Sequence, residues 1–197
     1  MISQSQAINE TIGKWIRPEI RALSAYHVPD YANLIKLDAM ENPYPWPEDL
    51  IEVWLEALRS VSINRYPDPS PHALKGLLRD TMGIPGNMEI LLGNGSDELI
   101  QLIAMLLQGR MDDRQRCLLA PEPTFAMYRL IAIATGLEFV GVPLTDKDFA
   151  LDGDAMLDAI KKHQPAVVFL AYPNNPTGGL FDTDVLLAIL AQAPGLV

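Results

Sequence analysis

Apolar residues recur along this chain in two rhythms. Between Pro47 and Val61 the run "PEDLIEVWLEALRSV" sets Leu50, Ile51, Trp54, Leu55 and Leu58 at helical spacing behind a first turn of acids, which predicts an amphipathic helix. A second helix is predicted by "SPHALKGLLRDTM", with Ser70 as N-cap and Pro71 at the first helical position. From Glu89 onward short apolar runs alternate with amphipathic stretches. The runs "EILLG", "RCLLA", "EFVGVPL" and "AVVFLAY" read as strands. The stretches "SDELIQLIAMLLQ", "TFAMYRLIAIAT", "DGDAMLDAIKKHQ" and "TDVLLAILAQA" read as helices. Such alternation predicts an α/β fold, a mostly parallel sheet flanked by helices on both faces.

Before this regular region the chain is irregular and proline-rich, as in "NPYPWPEDL". The expected division is an arm with its helix over residues 1–66 and an α/β domain over 67–197. The last residues, "APGLV", read as the beginning of a further strand with no helix after it, so the domain is expected to be cut short there.

Composition narrows the function classes. The 197 residues are 49% hydrophobic and 20% charged, ordinary for a soluble globular protein. A formal net charge of −10 argues against a nucleic-acid surface, which needs clustered Lys and Arg. One cysteine, Cys117, allows no intrachain disulfide and suits a reducing compartment; its place in "RCLLA" predicts a core position. The N-terminus lacks a basic start with an apolar run, and no apolar run approaches membrane-span length. The expectation is a cytoplasmic protein.

Three loops carry candidate chemistry. In "EILLGNGSDELIQLI" a glycine turn precedes a helix whose N-terminus falls near Ser96. Free N–H groups and the helix dipole there suit an anion, and Gly93 and Gly95 let backbone approach it. Asp97 and Glu98 stabilise a first turn without any ligand, so a plain capped helix is the competing reading. A dinucleotide fingerprint is nearly matched, but Glu98 occupies its third glycine position. In "APEPTFAMY", Thr124 is expected to cap a helix starting at Phe125, whose ring either stacks on a planar ligand or packs with Met127, Tyr128 and Ile131. In "AYPNNPTGG" an apolar run empties into two asparagines, and either a plain turn or a ligand explains it. Successive strands of a parallel sheet end on one rim, so the three loops together offer an anion seat, an aromatic and an amide.

These loops, in this order, resemble the large domain of the fold-type I pyridoxal-phosphate aminotransferases, and within it the histidinol-phosphate aminotransferase family. "RPEIRALSAY", "LDAMENPY" and "NRYPDP" resemble that family's N-terminal arm, so the likeness runs from about Arg17 to Gly179. The resemblance implies pyridoxal 5'-phosphate as cofactor and the first part of its binding domain over 67–197. Ser96 and Asp97 would give backbone N–H groups to the cofactor phosphate, Phe125 would stack on the pyridine ring, and Asn175 would hydrogen-bond the phenolic oxygen. Tyr66 matches a tyrosine that reaches the cofactor phosphate of the other subunit, which implies a homodimer. Tyr26 and Asn42 match substrate-side positions. Read without the family, Tyr26 and Tyr66 are half-buried aromatics and Asn42 a turn residue before Pro43.

The implied reaction passes the amino group of L-histidinol phosphate to the cofactor and then to 2-oxoglutarate. The Schiff-base lysine of the family lies later than Val197, and none of Lys14, Lys36, Lys75, Lys147, Lys161 and Lys162 stands after a late strand. The chain alone is therefore expected to be inactive. Alternatives are another class I/II aminotransferase, a phosphothreonine decarboxylase-like enzyme, or a non-catalytic domain binding a phosphorylated ligand.

Overall fold

The computed structural model describes residues 12–24, 41–111 and 114–197. The chain divides into two compact units, Met1–Val28 with Gly93–Val197, and Pro29–Leu92. The division expected after residue 66 follows where the irregular arm ends, whereas the compact units follow packing. After a single turn, α1 (Pro18–Arg21), the beginning of the chain stays with the larger unit because the Arg17 guanidinium donates to the carbonyls of Ile133 at 3.0 Å and Ala134 at 2.7 Å.

The smaller unit holds α2 (Glu48–Arg59) and α3 (His72–Met82). α2 follows Pro47 as the pattern predicts, and Trp46 meets Trp54 edge-on at 5.8 Å. α3 starts differently from expectation. Ser70 does not cap it; the Asp68 carboxylate accepts from the Ser70 N–H at 2.8 Å, Ser70 becomes part of a turn, and Pro71 occupies the cap position. α3 ends at Gly83, where φ is 65°, and Arg79 then reaches the carbonyls of Pro85 and Met88. The expected strand "EILLG" is not formed. Strand backbone needs a neighbour for its N–H and C=O groups, and residues 89–93 pair with none among the described residues, leaving Leu91 68% exposed.

The larger unit runs α4 (Ser96–Leu107), β1 (Arg110–Met111), β2 (Arg114–Gln115), β3 (Cys117–Glu122), α5 (Met127–Thr135), β4 (Glu138–Pro143), α6 (Gly153–His163), β5 (Val167–Val168) and α7 (Thr183–Gln192). β1 and β2 form a small antiparallel pair. The main sheet has the order β4-β3-β5, all parallel, with Leu118 opposite Phe139 on one side and Val167 on the other. β3 is buried on both faces, as a central parallel strand should be. Leu118 and Ala120 pack with Ile100 and Ala104 of α4 and Tyr128, Ile131 and Ala132 of α5. Leu119 faces the other way, onto Met156 and Ile160 of α6 and Ile189 of α7. The α/β architecture with helices on both faces is as the alternation predicts, and Cys117 is buried as expected, its thiol against the His163 carbonyl at 3.6 Å.

β5 is shorter than "AVVFLAY" suggests, and its outer side is met by Leu196, which donates to the Ala166 carbonyl at 3.1 Å and accepts from the Val168 N–H at 2.8 Å. The strand beginning read in "APGLV" is thus present. Gly195 permits it, since a Cβ there would lie 2.2 Å from the Ala166 carbonyl oxygen. No helix among the described residues is long and apolar enough to cross a membrane.

Candidate functional site

Helix polarity brings the first loop to the edge where β3, β4 and β5 end. Arg116, just before β3, donates to the carbonyl of Leu107, the last residue of α4, at 3.4 Å. The C-terminus of α4 therefore lies at the amino edge of the sheet. Its 12 residues span roughly 18 Å at the helical rise, which carries Ser96 to the carboxyl edge. Gly95, with φ 83° and ψ 175°, precedes the helix in a conformation essentially reserved for glycine. It has no side chain to cap the first turn, no side chain among the described residues does so, and a Cβ at Gly95 would meet no atom of the described residues within 4 Å. The first N–H groups thus have no side-chain acceptor among the described residues. The Glu98 carboxylate turns back to accept from the Asn94 N–H, which occupies it away from that opening. Gly93 makes room for this arrangement, because a Cβ there would sit 2.8 Å from the Leu99 side chain.

The second and third loops are joined by one residue. Asn174 is completely buried. Its Nδ2 donates to the Pro123 carbonyl at 3.1 Å and to the Thr177 hydroxyl at 2.8 Å, while its Oδ1 accepts from the Thr124 hydroxyl at 3.2 Å. Its own backbone closes the turn, N–H to the Gly179 carbonyl at 2.9 Å and carbonyl to the Gly178 N–H at 2.7 Å. Asn175 begins the turn that Asn174 closes. With Asn174 inside, Asn175 is half-buried and its side chain makes no hydrogen bond among the described residues.

Thr124 does not cap α5, contrary to expectation. Its hydroxyl is taken by Asn174, fifty positions away in the chain, and the helix begins at Met127 with Ala126 as N-cap. Phe125 is consequently outside the helix. It is half-buried, edge-on to Tyr128 at 5.6 Å, and lines a cavity of about 540 Å³ together with Pro123, Thr124 and Pro176. Tyr128 in turn stacks on Phe169 at 4.9 Å, and burial pushes its phenol pKa up. The far wall of the cavity holds the Glu122–Arg129 ion pair at 2.7 Å, with the guanidinium 4.3 Å from the Phe139 ring centroid. Gly141 leaves space for that pair, since a Cβ there would overlap the Glu122 carboxylate.

Of the residues singled out in the sequence, Ser96, Asp97, Phe125 and Asn175 stand at the carboxyl edge of the larger unit's sheet. Asn42 and Tyr66 belong to the smaller unit: Asn42 Oδ1 accepts from the Tyr44 N–H at 3.0 Å, a turn contact, and Tyr66 is fully exposed. Tyr26 lies outside the described residues. Asn174, Thr124 and Thr177 are the residues sequence reasoning missed as a set. The one signal for them was the doubled asparagine before Pro176.

The chemistry of this edge is a set of helix N-terminal N–H donors, an aromatic face and a carboxamide without a hydrogen bond among the described residues. That set fits a flat, phosphorylated ring carrying an oxygen acceptor, the description of pyridoxal phosphate.

Comparison with known proteins agrees. The family model for aminotransferase class I and II matches residues 32–196. The chain is 55% identical over 188 residues to a histidinol-phosphate aminotransferase of Thiocapsa roseopersicina, covering 95% of this chain and 97% of that one. It is 56% identical over 188 residues to histidinol-phosphate aminotransferase 2 of Nitrosococcus oceani, where it spans 51% of the relative's length. The fold matches the crystal structure of a histidinol-phosphate aminotransferase from Sinorhizobium meliloti in complex with pyridoxal-5'-phosphate, with a TM-score of 0.69 and 23% identity over 91% of this chain and 48% of that one. The chain belongs to the class I and II aminotransferases.

Proposed function

We propose that this chain forms the pyridoxal-phosphate cradle of a histidinol-phosphate aminotransferase. The observation that carries the reading is the division of labour in "NNPT": Asn174 is saturated inside the fold, and its neighbour's amide is left free at the sheet edge. The names of relatives at 55% and 56% identity support the choice of amino donor. The backbone N–H groups of Ser96 and Asp97 hold the cofactor phosphate with the help of the helix dipole. Phe125 offers the ring its face, and the Asn175 amide donates to the phenolic oxygen. When bound, the cofactor supplies a conjugated ring that stores the electron pair released at the donor carbon.

Other assignments follow the family pattern. Tyr66 of one copy reaches the phosphate site of a second copy in a homodimer, and Tyr26 and Asn42 face the substrates, L-histidinol phosphate and 2-oxoglutarate. Proton transfer at the donor carbon needs a base. None of Lys14, Lys36, Lys75, Lys147, Lys161 and Lys162 follows a late strand in the sequence, as the family's Schiff-base lysine does, so none is assigned that role. The single cysteine suits a cytoplasmic location.

The reading is tested by purifying the protein from its source and measuring glutamate formed from 2-oxoglutarate with L-histidinol phosphate, phenylalanine or O-phosphothreonine as candidate donor. The expected result is a kcat/KM for histidinol phosphate at least tenfold above phenylalanine, about the discrimination that one good polar contact supplies. A preference for phenylalanine, or carbon dioxide release from O-phosphothreonine, would overturn it.

A further inference from the structure

We infer that Asn174 is a positioning residue that makes the ring-facing and oxygen-facing halves of the site a single mechanical unit. The inference rests on the proposed cofactor reading. Asn174 uses every hydrogen-bonding group it has. One amide hydrogen goes to the Pro123 carbonyl and the other to the Thr177 hydroxyl, its oxygen accepts from Thr124, and its backbone closes the turn with Gly178 and Gly179. Pro123 and Thr124 immediately precede Phe125, and Asn174 itself immediately precedes Asn175. Of the two functional side chains, fifty residues apart in sequence, Asn175 is thus the chain neighbour of the buried carboxamide and Phe125 the chain neighbour of its hydrogen-bond partner Thr124.

Three features make this more than a buried polar contact. The partners come from both loops rather than one. Thr124 has left the helix-capping place its sequence predicts in order to serve. No buried side-chain nitrogen or oxygen among the described residues is left unpaired, and those of Asn174 are all met by these two loops. An asparagine is also the side chain the partners demand. Aspartate would place an anion against the Pro123 carbonyl and lose both donors, and a serine or alanine could not span the loops.

The test pairs a local readout with a coupling experiment on the 197-residue chain. Thr124→Val keeps shape and removes one hydroxyl donor. Hydrogen exchange by mass spectrometry is expected to speed up by about tenfold in the segment 172–179, with α6 and α7 unchanged, the size of effect one unmet buried bond gives. Unchanged exchange in 172–179 would refute the joining of the loops. The second arm measures pyridoxal-phosphate affinity for Asn175→Ala made alone and in an Asn174→Ala background. If Asn174 positions Asn175, the substitution costs about tenfold alone and less than threefold in that background, because the contribution is already lost. A merely structural Asn174 would lower the melting temperature yet leave the tenfold cost of Asn175→Ala intact in the folded fraction, which overturns the inference. A wild-type chain that binds no pyridoxal phosphate refutes the cofactor reading instead, and the exchange experiment still decides whether the loops act as one.

Discussion

Gly95→Ala isolates the backbone contribution to the anion seat. Gly95 has φ 83° and ψ 175°, a region that alanine reaches only at a cost of about 1–3 kcal/mol. A Cβ there meets nothing within 4 Å, so steric overlap adds nothing and the whole effect is conformational. If the turn relaxes to negative φ, the Asn94 N–H leaves the Glu98 carboxylate, an exposed bond worth about 1 kcal/mol. Either route lowers stability by about 1–3 kcal/mol, or roughly 2–12 °C in melting temperature for a chain of this size. The assay is a thermal melt followed by circular dichroism, with and without pyridoxal phosphate. Gly76→Ala is the control: it sits inside α3 with open space around it and is expected to stabilise by about 0.5–1 kcal/mol. The seat also predicts that the cofactor raises the melting temperature of the wild type more than that of Gly95→Ala. A Gly95→Ala chain as stable as wild type, with the same cofactor-induced shift, would refute the reasoning.

Three further outcomes are expected. Asp182 caps α7 by accepting from the Asp184 N–H at 2.8 Å and the Val185 N–H at 3.3 Å, so Asp182→Ala should cost about 1 kcal/mol in a urea titration, against nothing if the cap is idle. The Thr145 hydroxyl, followed by the Ala150 N–H, holds the Asp148 carboxyl below the ordinary aspartate pKa. Its contribution to stability is present above the unfolded value and fades as pH falls through the folded one; NMR titration should find that pKa rising toward normal in Thr145→Val, and no movement would reject the cause. Borohydride treatment of the chain with pyridoxal phosphate should fix the cofactor to no single lysine, and stoichiometric capture on one of Lys14, Lys75, Lys147, Lys161 or Lys162 would identify a base that the geometry does not assign.

The layout of the larger unit was legible because buried parallel strands are continuous apolar runs and their covering helices are amphipathic, as β3 and α6 illustrate. The starts of α4, α6 and α7 were legible in the amphipathic stretches themselves; the caps Asp152, which accepts from Ala155, and Asp182, which accepts from Asp184, were not singled out in the sequence. Two caps were misread: Ser70 is drawn into a turn by Asp68, and the Thr124 hydroxyl serves Asn174 rather than α5, a contact no window of sequence contains. Residues 89–93 have strand composition, but a strand exists only with a partner, which composition cannot supply. The candidate site was legible as three loops on one rim. Which of two adjacent asparagines faces outward was not, because it depends on Pro123, Thr124 and Thr177 closing around Asn174.

The central claim is that Ser96, Asp97, Phe125 and Asn175 together hold pyridoxal phosphate. Equilibrium titration of the 197-residue chain with the cofactor, followed by its absorbance and by tryptophan emission, tests it most directly. The account predicts saturable binding of one cofactor per chain, competition by inorganic phosphate, and an affinity about tenfold lower in Asn175→Ala, the share of one hydrogen bond to a charged oxygen. Absence of saturable binding, or binding that Asn175→Ala leaves unchanged, would contradict it.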